Sequence, residues 1–199
     1  IPIVGYSPAK IRMPHKNHHG QYDNWSATAL PWMSIGYETQ IPPISTLAFY
    51  NAIANGGKMM RPRFVKQIVK NGEVLYDNPP QVVKEHIAKE STIKDITRIL
   101  TEVVSEGLGK KAGSDKFLVA GKTGTAENFS GRDHGWFVAF APYDHPRIVI
   151  AVLTEQGGFG ASSSGPIVRA MLEEFFHIGT ADSQNKDTAE PTQASGRTQ

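Results

Sequence analysis

The sequence predicts an α+β fold. Three strand candidates follow one another between residues 117 and 154, amphipathic helices stand before and after them, and a β-hairpin lies apart from them. The chain has 199 residues, 39% of them apolar, enough to bury one sizeable domain beside a short tail. With 21 Lys and Arg against 19 Asp and Glu the formal charge is +2, which offers no clustered surface for phosphate backbones, so no nucleic-acid partner is expected. The absence of cysteine excludes thiolate nucleophiles, Cys-ligated metals and disulfides, and any nucleophile has to be oxygen or nitrogen.

Taken in order, residues 1–30 read as mostly irregular, because Pro2, Pro8, Pro14 and Gly20 punctuate a polar stretch. The start carries neither an initiator Met nor an intact secretory leader, and is expected to be the cut end of something longer. His15, His18 and His19 read as a polar loop rather than a metal set, since the sequence nearby suggests no carboxylate partner for them. No metal and no cofactor is expected. Residues 44–55 are dense in apolar side chains between Pro42-Pro43 and Gly56-Gly57, predicting a largely buried helix. Residues 64–69 and 73–76 flank Asn71-Gly72, a pair suited to a type I′ turn, and so predict the hairpin. Residues 91–107 predict an amphipathic helix capped by Ser91 and ended by Gly107.

Strands are predicted at 117–125, 136–140 and 147–154, the last two antiparallel across a short turn. A final helix is predicted from about Pro166 to Gly179. Residues 180–199 contain no Ile, Leu, Val, Met or aromatic residue and are expected to be a disordered tail to a domain spanning 1–179.

The sharpest local signal is Val119-Ala120-Gly121-Lys122-Thr123-Gly124-Thr125-Ala126-Glu127. A strand ending this way sets a cation and two hydroxyls beside a glycine that a substrate backbone can approach closely. Gly121-Lys122-Thr123 also matches the end of a phosphate-binding loop, but the required earlier glycine is Lys116 and a turn-like run follows where a helix should open. A nucleotide site is therefore not expected.

This segment resembles the Lys-Thr-Gly strand of the penicillin-binding-protein transpeptidase domain. Gly135-Trp136-Phe137-Val138-Ala139-Phe140-Ala141-Pro142 is similar to the strand after it. Upstream, the Gly36-Tyr37-Glu38 block and Ala52-Ile53-Ala54-Asn55-Gly56-Gly57 resemble further blocks of the family in the same order. The wording around Trp32 and Tyr50 is most similar to the septal, cell-division class. The resemblance covers roughly residues 1–178.

It implies acyl transfer in peptidoglycan: a serine attacks the D-Ala-D-Ala amide of a stem peptide, D-Ala leaves, and a neighbouring stem's amine resolves the ester. β-Lactams stall this cycle. By position, the resemblance makes Lys122 a source of positive charge and a proton shuttle, and gives the Thr123 and Thr125 hydroxyls to the substrate carboxylate. It makes the Thr125 backbone N–H half of the oxyanion hole, and Gly124 the place where the acyl chain lies as an added strand. Arg132 and His134, in the connection after the strand, are further candidates for substrate contact. Divisome proteins are implied as partners, and the implied location is extracytoplasmic, with the parent anchored to the membrane by a segment outside this chain.

The family's Ser-x-x-Lys and Ser-x-Asn motifs are not matched in context. Ser7-Pro8-Ala9-Lys10 lies in a non-helical lead-in, Ser91-Thr92-Ile93-Lys94 reads as a helix cap, and Ser183-Gln184-Asn185 falls in the polar tail. The expectation is thus the C-terminal part of a transpeptidase domain, inactive alone. In such a fragment the last strand keeps an open edge, by which it is expected to dimerise. The alternative is a non-catalytic binding module that retains the fold.

Overall fold

The computed structural model describes residues 6–128 and 131–178. The expected tail at 180–199 and the first five residues lie outside them. Strand β1 (Lys10–Ile11) pairs with β2 (Thr39–Gln40), and the short helix α1 (Ala29–Ser34) lies between them in sequence. α2 (Pro43–Ala54) follows, then β3 (Met59–Met60), the hairpin β4 (Gln67–Lys70) and β5 (Glu73–Asp77), and β6 (Val82–Lys84), which pairs with β3. α3 (Glu90–Ser105) leads into the sheet of β7 (Ala120–Ala126), β8 (His134–Ala141) and β9 (Ile148–Thr154), antiparallel in the order β7-β8-β9. α4 (Gly160–Phe175) closes the described chain.

The α+β reading and the three-strand sheet agree with the structure. The hairpin turn is the one Asn-Gly permits, with φ of 52° at Asn71 and 84° at Gly72. Several boundaries differ for physical reasons. Among the described residues up to 30 the chain is mostly irregular, as expected, apart from β1 and the first two residues of α1. α2 is half-buried rather than largely buried: Ala52 and Ile53 are enclosed where the helix meets β3, β8 and β9, while Phe49 stays exposed.

Ser91 does not cap α3. The helix starts a residue earlier, with Lys89 as the extended N-cap residue and Glu90 paired to Lys94 at 2.7 Å. α4 begins six residues before Pro166, on a run of Gly, Ala and Ser whose small side chains hide its periodicity. It ends at Phe175, before Gly179.

The sheet lies between helices. Successive side chains of a strand point to opposite faces, so Phe137 and Phe140, three apart and both fully buried, serve opposite cores. Phe137 joins Val119, Ala139, Ile150, Val168 and Leu172 on the α4 side. Phe140 joins Ala120, Ile53 of α2 and Leu100 of α3 on the other. The outer edge of β9 is unpaired among the described residues, as is that of β7. Leu172→Ala is expected to lower unfolding free energy by about 2–5 kcal/mol, because the closed α4 core cannot refill the space. The same change at exposed Leu108 should cost less than about 0.5 kcal/mol; urea denaturation distinguishes the two.

Candidate active site

The site is built on β7. Its register pairs Lys122 with Val138, Thr123 with Phe137, Gly124 with Trp136 and Thr125 with Gly135. Paired residues share a face, so Lys122, Gly124 and Ala126 lie with Trp136 and Val138 on the side of α2 and α3, and Thr123 and Thr125 lie on the α4 side. α3 and α2 cover the sheet at Ala120 and Phe140.

Further along β7 the same face borders an open cleft of ≈ 980 Å³. Its walls include Lys122, Thr123, Gly124 and Trp136 of the sheet, Thr46 and Tyr50 of α2, and Ser7 of the lead-in. Burial pushes the Tyr50 hydroxyl pKa up, which keeps it a neutral donor. A recess of ≈ 830 Å³ continues past Thr125 and Glu127, with Ile35, Gly36, Tyr37 and Glu38 on its far side.

Backbone direction along β7 follows from two contacts. The Gly124 carbonyl and the Trp136 backbone N–H both abut Gly160, which places the Gly124 polar groups on the β8 side, within the ladder. In a strand the N–H and C=O of one residue point to the same edge and the edge alternates with each residue. The backbone N–H and C=O of Thr123 and Thr125 therefore face the open edge. In agreement, the Thr123 carbonyl is free to accept a hydrogen bond from the Lys122 ammonium at 2.7 Å.

This strand end is backed by the start of α4. A Cβ at Gly160 would overlap the Gly124 carbonyl and the Trp136 backbone, and one at Gly135 would overlap the Ser163 and Thr154 hydroxyls. The Thr154 hydroxyl lies 2.8 Å from that of Ser163, and buried Ser164 donates to the Gly135 carbonyl at 2.9 Å. Helix and sheet thus approach at backbone distance, with their polar groups satisfied. Gly135, Gly160 and Ser164 carry no sequence signal of this role, since close approach depends on two segments some 25 residues apart in sequence.

Lys122, Thr123, Gly124 and Thr125 come together along the cleft and its recess. Arg132 is exposed, and neither it nor His134 is among the residues lining them. His134 pairs with Ala126, and its Nδ1 accepts the Gln156 backbone N–H at 3.0 Å, so that nitrogen is engaged in holding the connection. Ser7 borders the cleft, but the chain from Ser7 to Lys10 is not helical, and one-face spacing at i and i+3 requires a helix. Ser91 and Lys94 do sit on a helix, where Lys94 is tied to Glu90 and both are exposed. His15 contacts the Asp23 carboxylate at 3.1 Å, a partner the sequence reading did not assign to it. No group of three or more metal-binding side chains forms among the described residues.

Residues 5–173 match the penicillin binding protein transpeptidase domain. The chain belongs to that family. It is similar to the peptidoglycan D,D-transpeptidase MrdA of Haemophilus influenzae, 32% identical over 162 residues that cover 71% of this chain and 24% of the relative. It is also similar to stage V sporulation protein D of Bacillus subtilis, 30% identical over 71% of this chain and 24% of that protein. The chain thus spans about a quarter of the length of these curated relatives.

Among solved structures, penicillin-binding protein A from M. tuberculosis, an imipenem acyl-enzyme complex, aligns with a TM-score of 0.66 and 28% identity. That alignment covers 76% of this chain and 34% of the other. The D,D-transpeptidase domain of a peptidoglycan glycosyltransferase from Eggerthella lenta aligns with a TM-score of 0.63 and 30% identity, over 70% and 33%.

Gly160→Ala tests the packing that backs this transpeptidase strand. The added methyl should cost about 1–3 kcal/mol in urea denaturation, as overpacking does. It should also shift the backbone amide resonances of Gly124 and Trp136 more than those of the remote hairpin β4–β5.

Proposed function

We propose that this chain is the substrate-binding half of a septal-type peptidoglycan D,D-transpeptidase, which cross-links stem peptides and is acylated by β-lactams. The observation that carries the reading is the open β7 edge, where the Thr123 and Thr125 backbone groups point outward beside the Lys122 side chain. A peptide ending in D-Ala-D-Ala adds to that edge as an antiparallel strand, passing over Gly124, where no side chain obstructs it. The Thr125 N–H then points at the carbonyl oxygen that gains charge on attack, a donor that needs no reorganisation.

Lys122 lowers the cost of binding the substrate carboxylate and shuttles the proton of the nucleophile; the family resemblance also gives that carboxylate to the Thr123 and Thr125 hydroxyls, although the β7 ladder turns these side chains to the α4 face. Arg132 and His134, the further candidates for substrate contact, lie outside the walls of the cleft and recess and are given no part in this binding. The attacking serine comes from another segment of the parent protein, because Ser7 and Ser91 lack the required setting. The parent works outside the cytoplasm, held to the membrane by a segment other than the helices described, none of which is long and apolar enough to cross it. Divisome proteins are its partners there.

A fluorescent penicillin, read on a denaturing gel, tests this. The protein encoded by the whole reading frame should label covalently, and Lys122→Met in it should slow acylation about a hundredfold or more. This chain alone should give no band. A labelled serine within it, or a whole protein that never labels, overturns the reading, the second outcome in favour of a non-catalytic binding module. Alone, the chain should also dimerise through the unpaired β9 edge. Analytical ultracentrifugation that finds only monomer at high concentration would contradict this.

A further inference from the structure

The connection from β9 to α4 reverses the chain within residues 155–159, and positive φ at Gln156 (53°) and Gly158 (76°) makes the reversal tight. That backbone is natural for glycine and uncommon for glutamine, so neighbouring groups have to hold Gln156 in it. The start of β8 supplies them. The Gly158 N–H donates to the Asp133 carbonyl at 2.8 Å, the Thr154 hydroxyl donates to the Gly135 carbonyl at 3.2 Å, and the Gln156 N–H donates to Nδ1 of His134 at 3.0 Å. Of these three ties only the last ends on a group that titrates near neutral pH.

The same connection feeds α4. Phe159, its N-cap residue, is extended and supplies no side-chain hydrogen bond, so the placing of the first turn falls to the connection and to the hydroxyls of Thr154, Ser163 and Ser164. Gly160 follows at once, against the Gly124 carbonyl and the Trp136 backbone. What holds Gln156 thus also sets how α4 backs the strand whose next residue is Thr125. A backbone N–H donates only to a ring nitrogen without a proton, so Nδ1 of His134 is bare and the imidazole neutral. A second proton would set donor against donor and break the tie. The charged groups on the elements around the ring are Arg132 and Asp133 in its own connection, Glu127 after β7 and Glu155 after β9, while the start of α4 has none. Among the described residues none of them makes a hydrogen bond or ion pair to the imidazole, and the Asp133 carboxylate accepts the Asn128 N–H instead, at 3.4 Å.

We propose that neutral His134 is a positioning residue of the site: it locks the β9–α4 connection onto β8 and so fixes the α4 start behind Gly124 and the Thr125 N–H. The inference rests on the functional reading above and gives that site an acid limit. His134 touches neither substrate nor reacting atoms; it acts through Gln156 and α4. On acidification the ring gains its proton, the Gln156 N–H loses its acceptor, and a donor that must meet an oxyanion is placed less well. The hold is complete on the alkaline side of the ring's titration and is lost as pH falls through it.

Two measurements test the lock, and the first does not need catalysis. In this chain, the hydrogen-exchange protection factor of the Gln156 amide should fall about threefold to tenfold between about pH 8 and about pH 5, the effect of losing one modest hydrogen bond. Gly124 should follow by a smaller factor, and the hairpin β4–β5 should not change. His134→Ala should show the lowered protection at both pH values. In His134→Asn, whose Oδ1 takes the place of Nδ1 and does not titrate, protection should be largely retained at both. Protection at Gln156 that does not depend on pH in the unaltered chain, a loss there that leaves Gly124 untouched, or an Asn variant indistinguishable from the Ala variant overturns the proposal.

In the whole protein, acylation by a fluorescent penicillin should slow toward acid pH more steeply than in His134→Asn. The two should be similar at about pH 8, and the unaltered protein about threefold the slower at about pH 5. Prior non-covalent binding should be nearly the same in both, because the oxyanion forms only during attack. Parallel pH profiles, or an equal loss in binding, count against a positioning role. If the unaltered whole protein does not label at all, the transpeptidase reading fails, and the exchange result still decides whether His134 locks the connection.

Discussion

The parity of one antiparallel ladder governs the molecule. Because Gly124 bonds inward to Trp136, its neighbours Thr123 and Thr125 turn their backbone groups outward, and a shift of one residue would exchange these roles. The same parity sends Phe137 to the α4 core and Phe140 to the core under α2 and α3. Two large buried rings on opposite faces make a slipped register very costly, since each would have to leave one closed core for another. The orientation of the site is therefore enforced by hydrophobic packing well away from it.

Glycine at three points allows the strands and helix to close on one another. At Gly121 a Cβ would press on the Phe137 ring and the Val138 carbonyl, at Gly135 on the Thr154 and Ser163 hydroxyls, and at Gly160 on the backbone of β7 and β8. The α4 start is correspondingly poor in apolar side chains and rich in hydroxyls, which satisfy one another and the Gly135 carbonyl. Backbone contact of this kind leaves little freedom in the height of β7 above α4. The cleft side is different: an open recess separates the end of β7 from the turn at Gly36, Tyr37 and Glu38. Rigidity behind the strand and adjustability in front of it suit a surface to which an extended peptide is added.

Much of this was legible in the sequence. Apolar periodicity located α3 and the strands to within a few residues, Asn71-Gly72 specified its turn, and the run from Lys122 to Thr125 marked the site. The errors have a common origin. α4 was placed six residues late because Gly160 to Gly165 offer no periodic apolar signal; their small size is the packing requirement itself. Ser91 was assigned to a cap because its residue type suits one, whereas the backbone of Lys89 turns into the helix first. α2 was expected to be largely buried from its apolar density, and exposed Phe49 shows that density does not specify which neighbours are present. The contact of His15 with Asp23 depends on a loop reversal that the sequence does not announce.

By itself the sequence determined the residue types of the site, the strand that bears them and the family to which the chain belongs, because these are carried by contiguous residues and short-range periodicity. Only the tertiary structure decided which edge of β7 is open and that Gly160 backs Gly124. Those outcomes depend on register and on the close approach of distant segments, and both are settled only when the two cores close around the sheet.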